Sequence, residues 1–166
     1  MASVNRRRAP GRGVGGPPRW SKQWLLPMPH ASVRSLSLNA HLALEACRAE
    51  RGNQHMLNEL TRLTYLSFFM WEAGVGHAQA GVYADVEDVL NVTVEHAVRS
   101  GQWIVSADDV AAIEALLKVY DEQLSSVTAR VYCDAVQRLD RLLATPQTVS
   151  PLVRKMPRET AADISM

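Results

Sequence analysis

Between Asn53 and Gly74 lies a stretch that is apolar nearly all round from Leu57 to Trp71. At 3.6 residues per turn, Leu60, Leu63, Leu66, Phe69 and Met70 spread too widely around a helix axis for one-sided packing. Such a helix has to be covered on several faces, which predicts a central helix with others around it. Asn53 suits its N-cap, and Gly74 suits the position just past its end.

From Ser32 onward the apolar spacing is helical throughout. A first helix is predicted from about Ser35 to Glu50, with Leu38, Leu42, Ala46 and Ala49 inward and a stop at Gly52. A third covers about Val82 to Ser100, with Val82, Val86, Val89, Leu90 and Val94 on one stripe. Its β-branched content leaves a strand as an alternative, while Asp85, Glu87 and Asp88 near its start favour the helix. A fourth starts at the N-cap Ser106, with Asp108 and Asp109 in its first turn and a seam of Val110, Ile113, Leu117, Tyr120 and Leu124. After a break near Ser125–Thr128, a fifth runs to about Ala144. It places Val131, Ala135, Val136, Leu139, Leu142 and Leu143 inward and is ended by Pro146. The expected fold is all-α, an antiparallel bundle of about five helices. The expected divisions are a basic arm over 1–31, a helical domain over 32–145 and a loose C-terminal tail over 146–166.

Charge is segregated along the chain. Residues 1–44 carry seven basic side chains (Arg6, Arg7, Arg8, Arg12, Arg19, Lys22 and Arg34) and no acid. Of 18 basic residues, 11 remain to face all 17 acids, a balance of −6, so the formal net charge of +1 hides a cationic arm on an anionic body. An arm of this sign seeks polyanions while the body repels them. The arm is also rich in Gly and Pro and carries Trp20 and Trp24. Phosphate neutralisation and stacking surfaces are the two ingredients of sequence-tolerant nucleic-acid binding. The expected contact residues are therefore Arg6, Arg7, Arg8, Arg12, Arg19, Trp20, Lys22 and Trp24. A structural reading of the same segment folds Trp20, Trp24, Leu25 and Leu26 back onto the bundle, and both readings are compatible.

Other classes find less support. No run of about 18 apolar residues exists, so no membrane partner is expected. Arg6–Arg8 is followed by Gly and Pro instead of an apolar stretch, which speaks against an export signal, and the same residues prevent the amphipathic helix of a transit peptide. The two cysteines, Cys47 and Cys133, sit apart in helical patterns and suit buried thiols in a reducing, cytoplasmic setting. Nucleotide-binding and hydrolase motifs are missing, and Gly11, Gly13, Gly15 and Gly16 lead into Pro17-Pro18 rather than a helix, so no phosphate loop is expected. No catalytic residue, cofactor or small-molecule substrate is indicated.

One constellation points to a metal. His41 and Glu45 are four apart on the first helix, as are His55 and Glu59 on the second, and an antiparallel hairpin centred near residue 50 would set the two pairs opposite each other. Pairs at this spacing are also common on solvated faces, and Leu38, Leu42 and Ala49 compete for the buried side. The solvated reading is preferred, and an enzyme built on these four residues is the least favoured function. A helix-turn-helix at Ser125–Thr128 is a further candidate. Its second helix offers Arg130, Arg138 and Arg141 against Asp134 and Asp140, a thin surplus for a major groove.

The segments "PRWSKQWLLPM" and "SLSLNAHLALEACRAERGNQHMLNELTRLTYLSFFM" resemble small helical proteins of proteobacterial genomes and mobile elements, some of which are labelled Fis-like regulators. That resemblance implies a regulatory role and a C-terminal helix-turn-helix that reads DNA. This chain departs from it in following its last helix with a Pro-rich segment and in lacking a dense basic face there. The function expected is a non-enzymatic accessory or regulatory protein whose basic arm contacts nucleic acid or a nucleoprotein partner. The alternative is a helical protein-interaction module, self-association included, without nucleic acid.

Overall fold

The computed structural model describes residues 22–145 and 150–152. Arg6, Arg7, Arg8, Arg12, Arg19 and Trp20 lie outside them. The described chain is a helical bundle: a short 3-10 helix (Lys22–Leu25), then α1 (His30–Arg48), α2 (Gln54–Glu72), α3 (Ala80–Ser100), α4 (Ala107–Ser126) and α5 (Ala129–Leu143). Among the described residues there is no strand, only an isolated bridge between Pro27 and Thr128.

Local chemistry sets the helix ends. Asn53 accepts a hydrogen bond from the Met56 N–H at 3.0 Å, and Ser106 accepts one from the Asp109 N–H at 3.2 Å, so both predicted caps form. α2 ends in a Schellman motif: Gly74 takes the left-handed φ of 84°, its N–H reaches the Trp71 carbonyl at 2.9 Å, and the Val75 N–H reaches that of Met70 at 3.0 Å. The segment that allowed a strand is α3. Packing of Tyr83, Val86, Leu90 and Ala97 into the core outweighs the weak helix propensity of its valines.

α2 is the centre, packed against α1, α3, α4 and α5. Leu57, Leu60, Leu63, Leu66, Phe68, Phe69 and Met70 are all buried there. Polar groups inside this core are paired, as burial demands. Gln123 is fully buried on α4; it accepts from the Ser67 hydroxyl at 2.7 Å and donates to the Ser67 and Val75 carbonyls at 3.0 and 3.1 Å. Ser150–Leu152 returns to the bundle, and Leu152 is buried.

α1 corrects the sequence reading in two ways. It begins at His30, five residues before the expected start, and its rotation is different. Ala40, Ala43, Leu44 and Cys47 face the core, whereas Leu38 and Leu42 are 54% and 55% exposed, and Ala49 is exposed too. Small side chains fill three of the four buried positions on that face, with Leu44 the fourth, where α1 packs on α2 and α4. The turn after it is tight. A Cβ on Gly52 would stand 2.1 Å from the Trp103 carbonyl oxygen and 2.9 Å from the Cys47 sulfur. Cys47 itself is fully buried, and burial raises its thiol pKa.

Candidate functional site

The N-terminal segment is strapped to the bundle where α4 turns into α5. The Met28 N–H donates to the Val127 carbonyl at 3.2 Å, the Ala129 N–H donates to the Leu26 carbonyl at 3.1 Å, and the 3-10 helix packs on α5. The backbone is thereby fixed; Trp24 is 37% exposed, Leu25 and Leu26 are more than half exposed, Lys22 is exposed, and Met28 packs against the core. Of the eight arm residues singled out above, only Lys22 and Trp24 fall within the described chain, and both sit on this strap.

The same strap covers the corner of the would-be helix-turn-helix. Two of the three arginines of α5 face acids within the chain. Arg138 pairs with Glu72 and stacks over the Phe69 ring at 4.3 Å, and Arg130 lies 3.8 Å from Asp134. A recognition helix needs such side chains directed at base edges.

The His/Glu constellation does not gather. The His41 Nε2–H donates to Asp121 Oδ2 on α4 at 2.9 Å, while Glu45 pairs with Arg48 at 2.9 Å and Glu59 with Arg62 at 3.7 Å. His55 and Glu59 open onto a groove instead. Among the described residues, no group of three His, Cys, Asp or Glu side chains is placed to hold a metal ion. The partner of His41 is eighty positions away in sequence and carries no local signal.

That groove is a concavity of the body. α1 and α5 both pack on α2 but not on each other, leaving about 540 Å³ between them. Leu36, Leu63, Leu66, Val136 and Leu139 give it apolar walls, with Tyr120 and Tyr132 toward the α4–α5 side and His55, Glu59 and Arg62 among its polar groups. Its size is that of a small-ligand or single-helix site. No family model, curated protein or solved structure matches this chain.

Four tyrosines in and around the core share one electrostatic property. Burial is the first cause raising the pKa of Tyr65, Tyr83, Tyr120 and Tyr132 above the ordinary value of 10.0. For Tyr65 the buried Glu87 carboxylate adds to it, accepting the phenol proton at 2.6 Å. For Tyr120 the neighbouring Tyr132 phenol adds to it, followed by the charges of Asp121 and Glu59. Below about pH 10 both folded and unfolded tyrosines are protonated and this contribution is complete. Above it the unfolded chain releases protons that the folded one keeps, so stability falls as pH rises. Urea midpoints are expected to decline gently from about pH 8.5, as the unfolded Cys47 thiol ionises, and to drop steeply above about pH 10, with tyrosinate absorbance appearing only as the protein unfolds. Tyrosinate absorbance developing fully in the folded protein near pH 10 would contradict this placement.

Proposed function

We propose that this chain is a non-enzymatic, cytoplasmic accessory or regulatory protein that contacts nucleic acid or a nucleoprotein partner through its basic N-terminal arm. The observation that carries the reading is the strap at Lys22–Met28, which ties the cationic end of the chain to one corner of an anionic body. Tethering a polycation to a body that polyanions avoid confines contact to the arm. The regulatory part rests on the resemblance to Fis-like proteins, but the arm takes the role that a C-terminal reading helix would have there. The bundle is read as antiparallel, each short connection reversing the chain.

Salt is the test. Neutralising several phosphates releases their counterions, so affinity for mixed-sequence DNA or RNA is expected to fall by roughly 10³-fold between about 50 and 200 mM salt. Deleting residues 1–19 is expected to abolish binding while leaving the helical circular dichroism intact. Equal affinity of full-length and truncated protein at low salt would remove this reading.

A second reading, a helical protein-interaction module, is favoured by the groove between α1 and α5 and by the exposed Leu38 and Leu42 beside it.

A further inference from the structure

The outward face of α1 is a mirror-ordered stripe. At 100° per residue, Ala31, Arg34, Leu38, Leu42 and Glu45 fall within an arc of about 80°, opposite the buried Ala40, Ala43 and Cys47. All five are exposed, and the leucines are more than half so. Ala49, just past the helix end, continues the stripe. Measured from residue 40, the two leucines stand two positions to either side and the two alanines nine to either side. Arg34 stands six before and Glu45 five after. Reversing the helix thus lays leucine on leucine, alanine on alanine and arginine on glutamate.

We propose that this stripe pairs with the same stripe of a second copy of the chain, the two α1 helices antiparallel about a two-fold axis near residue 40. An isologous contact requires a surface that is complementary to itself when inverted, and this one is. Leu38 meets the other copy's Leu42 and the reverse, so four leucines leave water together. Arg34 of each copy lies beside Glu45 of the other, which fixes register and rejects a parallel arrangement, where like charges would align. The small alanines at both ends let the helices approach closely. The intrachain Glu45–Arg48 pair is solvent-exposed and is no obstacle, since such pairs contribute little. Leu42 also lines the groove between α1 and α5, so the paired helix borders that groove. This inference deepens the interaction-module reading by naming its partner, and it does not depend on the arm.

One helix pair makes an interface at the small end of the specific range, so association is expected at concentrations on the order of tens of micromolar. Sedimentation velocity of the full chain, without nucleic acid, is expected to show a concentration-dependent dimer. Each single reversal, Arg34→Glu or Glu45→Arg, is expected to weaken it about tenfold, and the double variant to restore it. Leu42→Glu is expected to leave a monomer with unchanged circular dichroism, because the position is exposed. A wild-type monomer throughout this range would overturn the proposal, whatever else then occupies the groove. A dimer indifferent to these substitutions would place self-association elsewhere and overturn it equally. Nucleic-acid binding by the arm is read in a separate assay, so failure of one reading is not failure of the other.

Discussion

Phe69→Ala is expected to leave little folded protein. The residue is 4% exposed in the last turn of α2, its ring lies 5.9 Å from that of Phe68, and it carries the Arg138 guanidinium at 4.3 Å. Truncation loses the transfer free energy of the ring and leaves a cavity whose walls belong to several helices and collapse poorly, at a cost of ~3–5 kcal/mol. That is a large share of the ~5–15 kcal/mol that stabilises a whole domain. It also strips Arg138 of the ring it stacks on. His41→Ala removes one hydrogen bond between half-exposed groups and is expected to cost ~1 kcal/mol or less. Urea midpoints of the two variants check the contrast. Similar midpoints would mean that α2 is not the centre of the fold.

Gly52→Ala is the second large effect. The added methyl would lie 2.1 Å from the Trp103 carbonyl oxygen, which is backbone and has no rotamer to turn away. Either the α1–α2 turn or the loop before α4 must move, and both are tied to buried residues, Cys47 on one side and Val105 on the other. Overpacking of this kind costs ~1–3 kcal/mol, and a backbone clash belongs at or above the upper end. Gly81→Ala supplies the control. Gly81 sits in the first turn of α3 with open space around it, so alanine is expected to be neutral or stabilising by up to ~1 kcal/mol through helix propensity. Thermal midpoints that move together for the two variants would contradict the close approach at Gly52.

Much of the fold was legible in local chemistry. Asn53 and Ser106 are caps in the sequence and in the structure, and the α4 seam of Val110, Ile113, Leu117, Tyr120 and Leu124 is buried at every position. Periodicity alone does not settle α1, which carries leucines on both faces. Leu38 and Leu42 mark one stripe, yet the core takes the side lined by Ala40, Ala43, Leu44 and Cys47, which packs on α2 and α4. On α3 the buried stripe takes in Tyr83 and Glu87 beside the expected Val86 and Leu90, while Val82 and Val89 are only partly buried. Glu87 is tolerated inside because Tyr65 donates to it, a pairing across helices that no residue spacing reveals. The site was legible only in part. Charge segregation is visible in the sequence alone, but the strap depends on Leu26–Met28 meeting Val127–Ala129, and the groove depends on α1 and α5 sharing α2.

The strap also has a bearing on how the molecule folds. Its two backbone bonds close a loop of roughly 100 residues, so their entropic cost is met only after the intervening helices have brought the ends together. Anchoring of the N-terminal segment therefore comes late, when α4 and α5 are in place, and it is among the first links to open in local fluctuations. A partly folded chain would carry Lys22 on an untethered end, and only the finished body holds its segment at the α4–α5 corner. Attachment of the cationic segment thus doubles as a mark that the last helix has been added.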